Sequence, residues 1–66
     1  MLKNKLKSFR HKYEMNQLEF AAFLGVNKSL YNRWERQQGQ PNSVSMIKLA
    51  KKLGCKIDDL FEEVPD

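Results

Sequence analysis

The chain has 66 residues, and its 12 Lys and Arg outnumber its 8 Asp and Glu, which gives a net charge of +4. A chain this short forms one small domain with a thin core, because it buries only about 60% of the surface that its unfolded form exposes. A single cysteine and a single histidine exclude a disulfide framework and favour a reducing cytoplasm, and without a signal peptide or long apolar run we expect a soluble protein.

The first predicted helix is amphipathic. Leu2, Leu6, Phe9 and Tyr13 recur at helical spacing and predict one apolar face. The other face carries the lysines Lys3, Lys5, Lys7 and Lys12. We interpret these lysines as a solvated surface that attracts polyanions weakly over a distance.

Residues 17–24 and 28–36 are predicted to form two short helices around a tight turn. Asn16 and Asn27 can cap them, and Gly25 stands where the chain must reverse. The predicted inward residues of the first of these helices are Leu18, Ala21, Ala22 and Leu24. Tyr31 and Trp34 should anchor the other helix in the core, although the Tyr31 hydroxyl could still reach a phosphate. Two helices joined in this way are the device that places a helix in the DNA major groove.

The third predicted helix carries polar side chains on one exposed face. They are Lys28, Ser29, Asn32 and Arg33, at positions i, i+1, i+4 and i+5. Lysine and arginine can pair with guanine, asparagine can pair with adenine, and serine suits either donor or acceptor. We therefore predict that these four residues contact base edges, although some of them could reach only phosphates.

The second half of the chain predicts a polar loop at residues 37–42 and two more helices. Ser43 can cap the fourth helix, and Gly54 can end it. The buried stripe of this helix is predicted to be Val44, Ile47, Ala50 and either the stem of Lys51 or Leu53. A short fifth helix follows at about 57–61, and Cys55 in the loop before it should be a small buried residue. No segment alternates like a β-strand, so we predict a single all-α domain of five helices over residues 1–66.

Charge is distributed unevenly along the chain. Five acids, Asp58, Asp59, Glu62, Glu63 and Asp66, fall in the last nine residues, which contain no Lys or Arg. The first 57 residues therefore carry 12 basic residues against 3 acidic ones, a net charge of +9. A basic body of this kind suits a polyanion partner, and we expect the acidic end to point away from it as a frayed, solubilising tail.

Taken together, the motifs resemble those of the phage-repressor and Cro-type (XRE-like) helix-turn-helix regulators. The resemblance covers residues 2–61 and is carried by Arg10, Asn16-Gln17-x-x-Phe20-Ala21, Leu24-Gly25-Val26, Trp34-Glu35-Arg36, Pro41, Leu49-Ala50-Lys51-Lys52-Leu53-Gly54 and Ile57-Asp58-Asp59-Leu60-Phe61. It implies a five-helix, lambda-repressor-like domain with the helix-turn-helix at about 17–36. The family usually has glycine where this chain has Glu14 and Gln37. A positive φ would cost roughly 1 kcal/mol there, so we expect those turns to be built differently.

The resemblance also implies roles for residues outside the exposed face of the third helix. Gln17 and Asn27 would contact DNA phosphates, as would the residues that follow that helix, Arg36, Gln38 and Gln40. Arg10 and Glu35 would form an ion pair that holds the third helix at its angle. No cofactor or metal is implied.

The sequence therefore predicts a sequence-specific regulator of transcription that binds double-stranded DNA, most simply a repressor of phage or mobile-element type. So few base contacts suggest a homodimer on a palindromic operator, joined around the fifth helix and the loop before it. The alternative is an antitoxin-like module that binds a partner protein as well as DNA, with the acidic end as a docking strip. An enzyme is disfavoured because no catalytic constellation can be assembled, and no small-molecule ligand is expected.

Overall fold

Five short α-helices and a two-stranded β-ribbon make up the fold in a computed structural model, which describes residues 1–65. The elements in chain order are β1 (Leu2–Asn4), α1 (Leu6–Lys12), α2 (Gln17–Leu24), α3 (Lys28–Glu35), α4 (Ser43–Leu53), α5 (Ile57–Leu60) and β2 (Phe61–Glu63). The five helices confirm the predicted fold class. Of the acidic residues near the C-terminus, Asp66 lies outside the described part.

The helix ends follow from local side-chain chemistry. Asn16 accepts a hydrogen bond from the Glu19 N–H at 2.8 Å, and the Glu19 carboxylate accepts one from the Asn16 N–H at 2.9 Å, which completes a capping box on α2. Asn27 caps α3 through the Leu30 N–H at 2.7 Å. Gly25, at the C-cap of α2, has φ +80°, the left-handed backbone that glycine adopts without strain. These predictions are confirmed, whereas the predicted cap of α4 is wrong by one residue.

Asn42 rather than Ser43 caps α4, because its side chain accepts from the Ser45 N–H at 2.9 Å. Ser43 is instead the first helical residue. Both residue types cap helices well, so the backbone conformation of the preceding loop decides between them. Gly54 ends α4 with φ +65°, as predicted.

On α2 the core takes up Phe20, which was not predicted, together with Ala21, which is 1% exposed as predicted, while Leu24 is partly buried against it. Phe20 is fully buried, and its ring lies edge-on to Tyr31 with the centroids 5.5 Å apart. Leu18 is 63% exposed and Ala22 is exposed as well, so their predicted inward orientation is wrong. Because α2 is apolar on several sides, its sequence alone does not choose a face. The large aromatic side chain takes the interior position, since it removes the most apolar surface from water.

The buried stripe of α4 is also rotated from the predicted one. Ala50 and Leu53 face the core as predicted, and Leu49 joins them. Val44 and Ile47, predicted to be buried, are 60% and 45% exposed. Both stripes are apolar and differ by about one residue step around the helix axis, so contact with the rest of the core selects between them.

The antiparallel ribbon was not predicted. Leu2, Lys3 and Asn4 of β1 stand opposite Glu63, Glu62 and Phe61 of β2. Leu2, predicted in the first helix, therefore belongs to β1, and Phe61, predicted in the fifth helix, belongs to β2. The acidic residues Glu62 and Glu63 are paired with β1, so the expectation of a frayed tail is wrong for them. Strands of three residues, about 60 positions apart, leave no local pattern that the sequence could reveal.

A cluster of three side-chain amides, Asn4, Gln37 and Gln40, attaches β1 to the segment that follows α3. The Gln37 amide accepts from the backbone N–H of Asn4 and donates to its carbonyl oxygen, both at 3.0 Å, as a neighbouring strand would. Gln40 donates to the Leu2 carbonyl oxygen at 3.2 Å and accepts from the Asn4 side chain at 2.8 Å. The two glutamines thus form hydrogen bonds with backbone groups on the edge of β1 that would otherwise lack a partner strand.

Candidate nucleic-acid interface

The turn between α2 and α3 positions the two helices against each other. Gly25 reverses the chain, and the Val26 N–H donates to the Ala21 carbonyl oxygen at 3.0 Å. Asn27 then starts α3 immediately, so only three residues separate the helices. A turn this short fixes the angle between α2 and α3 and therefore the direction in which α3 projects its outer face.

The outer face of α3 carries the residues predicted to contact bases. Lys28, Ser29 and Arg33 are exposed, and Asn32 is half-buried beside them. On the opposite side of the helix, Tyr31 and Trp34 are 0% and 5% exposed. The core therefore holds α3 by its aromatic side and leaves a polar, positively charged surface free. Trp34 lies in the core as predicted.

The Tyr31 hydroxyl does not reach the surface. It is buried, and among the described residues it has no hydrogen-bond partner. Burial and the nearby Glu35 carboxylate raise the pKa of Tyr31 above its ordinary value, so the hydroxyl stays neutral. The alternative in which Tyr31 touches a DNA phosphate is therefore wrong.

Arg10 and Glu35 join α1 to the end of α3 through two parallel hydrogen bonds. The Arg10 Nε and Nη2 atoms donate to the two carboxylate oxygens at 3.0 and 2.9 Å, and Nη1 donates to the Met15 carbonyl oxygen at 3.2 Å. Burial alone would raise the pKa of Glu35, but the hydrogen bonds from Arg10 and Gln17 outweigh it and lower that pKa below its ordinary value. Glu35 is therefore ionised at neutral pH, and the pair fixes the orientation of α3.

Gln17 and Asn32 extend this pair toward the outer face of α3. The Gln17 Nε2 atom donates to Glu35 at 3.3 Å, and the Asn32 Nδ2 atom donates to Gln17 Oε1 at 3.0 Å. Gln17 is the first residue of α2, where backbone N–H groups lack helical partners. The structure thus brings together two residues that the sequence assigned separately to phosphate and base contacts.

The segment after α3 is used partly for internal contacts. Arg36 and Gln38 are exposed, whereas the Gln40 amide is bonded to Leu2, Asn4 and Gln37. Gln37 itself was not predicted to have a role, since its contact with β1 depends on a strand that local sequence patterns do not reveal. The Arg33 side chain passes close to Gly39. A Cβ atom added at Gly39 would lie 3.9 Å from Arg33 Nη2.

Glu14 and Gln37 adopt the left-handed backbone despite not being glycine. Their φ angles are +56° and +60°. The expectation that these turns would be built differently is therefore wrong: the chain keeps the turns and accepts the strain. For Gln37, the hydrogen bonds to Asn4 offset that cost.

Within residues 1–65, no three histidine, cysteine, aspartate or glutamate side chains lie together as metal ligands would. In the same range, no helix is long and apolar enough to cross a membrane.

The geometry defines a class of protein: a helix-turn-helix domain with a free polar face on its second helix. Comparison with known proteins agrees, because a family model described as helix-turn-helix matches residues 6–60. The chain belongs to this helix-turn-helix family, which confirms the resemblance drawn from the sequence.

Curated relatives include archaeal and phage proteins. The chain is 35% identical over 60 residues to an HTH-type transcriptional regulator of Methanocaldococcus jannaschii, covering 91% of each protein. It is 30% identical to another HTH-type regulator, from Archaeoglobus fulgidus, over 91% of the chain and 84% of that relative. Repressor protein C2 of Salmonella phage P22 is 26% identical over 94% of the chain, which spans 29% of that longer protein.

Proposed function

We propose that the protein is a sequence-specific DNA-binding transcriptional regulator, and specifically a repressor of phage or mobile-element type. The observation that carries this proposal is the outer face of α3, where Lys28, Ser29 and Arg33 are exposed. Tyr31 and Trp34, on the opposite side of the helix, are buried in the core. Such a face can enter the major groove without disturbing the core. The family and the kinship with a phage repressor support the same function. As a DNA-binding regulator it would act in the cytoplasm.

Base contacts would come from the outer face of α3. Arg33 and Lys28 suit guanine, which presents two acceptors in the major groove, and Ser29 and Asn32 would contact the neighbouring base pairs. Arg33 is exposed on this face, and its guanidinium lies close to Gly39.

Phosphate contacts would flank that face and set its register. Gln17 can offer a phosphate its backbone N–H at the start of α2. Asn27 caps α3 through its side-chain oxygen Oδ1, so the NH2 group of the same side chain remains available for a phosphate. Arg36 and Gln38 are exposed beyond the end of α3. Gln40 was predicted to join this set, but its internal hydrogen bonds favour a role in attaching β1 instead.

We further propose that the protein binds a palindromic operator as a homodimer, with half-sites about 34 Å apart. A single α3 offers few base contacts, and a second copy doubles them. We place the interface around α5 and the loop before it, where Ile57 is an apolar side chain that is 39% exposed.

The proposal is tested by selecting fragments of the source genome with the purified protein near physiological salt. Enrichment of an inverted repeat is the expected result and would identify the operator. Salt-sensitive binding without an enriched motif would contradict sequence-specific recognition and would favour the antitoxin-like alternative, in which a partner protein completes the site. Co-purification of a small basic partner would be the matching observation.

A further inference from the structure

A continuous line of side-chain hydrogen bonds runs from α1 to the outer face of α3. Arg10 donates to Glu35, Gln17 donates to the same carboxylate, and Asn32 donates to Gln17. The Glu35 side chain is only 6% exposed, so the line begins in the interior, and it ends at the half-buried Asn32 on the outer face. The interior is thereby connected to one residue of the proposed DNA contact surface.

The chemistry of Glu35 sets the direction of every bond in this line. An ionised carboxylate can only accept hydrogen bonds, so the Gln17 amide must turn its NH2 group toward Glu35. The side-chain oxygen of Gln17 then faces Asn32, which must donate a hydrogen bond to it from its own NH2 group. The orientation of both amides thus follows from the charge of Glu35.

This orientation determines what Asn32 can offer to DNA. Gln17 uses one of the two N–H bonds on Asn32 Nδ2, which leaves one N–H donor and the Oδ1 acceptor. Adenine presents one donor and one acceptor in the major groove, whereas guanine presents two acceptors. A donor-and-acceptor edge held in place therefore matches adenine and mismatches guanine.

We propose that Gln17 is a positioning residue that holds the Asn32 amide in the orientation required to read adenine. The proposal rests on the proposed function, because it assumes that α3 enters the major groove. It adds a specificity role to a residue for which sequence reasoning suggested only a phosphate contact, and it names the base that one position of the operator should contain.

The test is binding-site selection from a randomised duplex library, followed by affinity measurements on duplexes that differ at single positions. Asn32→Ala identifies the position read by Asn32, which should be an adenine in the wild-type motif and should lose roughly tenfold discrimination. Gln17→Met, which keeps the length of the side chain, should lose the same preference at the same position. Ser29→Ala is the matched control and should relax a different position.

A purely structural role of Gln17, or a contact with phosphate alone, would lower affinity for all duplexes equally and leave the base preferences intact. Thermal unfolding of Gln17→Met and of a second variant, Gln17→Ala, verifies that each is folded. Retention of the adenine preference by both folded Gln17 variants would overturn the proposal. So would a motif in which Asn32→Ala relaxes no position or relaxes a position other than adenine. A wild-type protein that selects no motif would instead contradict the proposed function itself.

Discussion

At the scale of single residues, Glu35 combines a structural and an electrostatic role. Its carboxylate accepts from Arg10 and Gln17, and it lies almost entirely out of solvent. Removing one member of such a pair is costly because the partner charge stays buried without compensation. The stability of the fold should therefore depend on the ionisation of this one group.

We predict that Glu35→Gln lowers the free energy of unfolding by about 3 kcal/mol at neutral pH. The pKa of Glu35 in the folded protein lies below its ordinary value of 4.5, so its contribution is present above pH 4.5 and is lost as the pH falls through the folded pKa. Urea unfolding of both proteins from pH 7 to pH 2.5 measures the difference. A difference that stays constant through the acid range would contradict this account.

Arg33 provides the residue-scale test of the orientation of α3. Arg33→Ala should relax the preferred base at one operator position and cost about 1–3 kcal/mol there, because a bidentate contact to guanine is lost. Lys7→Ala on α1 is the control: it removes the same charge outside the proposed site and should leave base preferences unchanged. If Arg33→Ala left the selected motif intact, the proposed direction of α3 would be wrong.

At the scale of elements, two residues with positive φ differ in how their strain is offset. Glu14 is exposed and Gln37 is bonded to β1 through both its amide oxygen and its amide nitrogen. Glycine at position 14 removes the strain without removing such contacts. Glycine at position 37 removes the strain together with three hydrogen bonds, two with Asn4 and one from Gln40.

We therefore predict that Glu14→Gly raises the free energy of unfolding by about 1 kcal/mol. Gln37→Gly should give no gain, because the lost hydrogen bonds contribute about 1 kcal/mol each. Thermal and urea unfolding of the two variants measured side by side test this contrast. Equal stabilisation by both substitutions would show that the Gln37 contacts with β1 contribute nothing.

The elements also show where sequence reasoning succeeds. Caps at Asn16 and Asn27 and the end of α4 at Gly54 were predictable, because each depends on chemistry within a few residues. The buried faces of α2 and α4 were not, since each helix has more than one apolar stripe and only contact with the rest of the core selects one. Phe20, rather than Leu18, becomes buried for this reason.

At the scale of the whole molecule, the ribbon brings the two ends of the chain together. Lys3 stands opposite Glu62, and the Val64 N–H donates to the Met1 carbonyl oxygen at 2.8 Å. The positions of Lys3 and Glu62 along the chain gave no indication of this pairing. For the candidate site, the sequence identified the outer face of α3, but the bonds that link Gln17 to Asn32 appear only once the helices are packed.

The proposed homodimer is a prediction at this same scale. Ile57→Glu should weaken self-association measured by sedimentation equilibrium, because it places a charge on the exposed apolar surface of α5. Leu18→Glu is the matched control: Leu18 is more exposed, at 63% against 39%, but belongs to α2, outside the proposed interface. A wild-type protein that remains monomeric at all concentrations and on its operator would contradict the dimer.

We propose above that the outer face of α3 reads DNA sequence. The most direct test compares the affinity of the wild-type protein for its selected duplex and for a shuffled duplex of equal composition, each at several salt concentrations. We predict a preference for the selected duplex of at least about 1,000-fold, with both affinities falling as salt rises. Equal affinities that fall together with salt would reduce the interaction to charge attraction and contradict the claim.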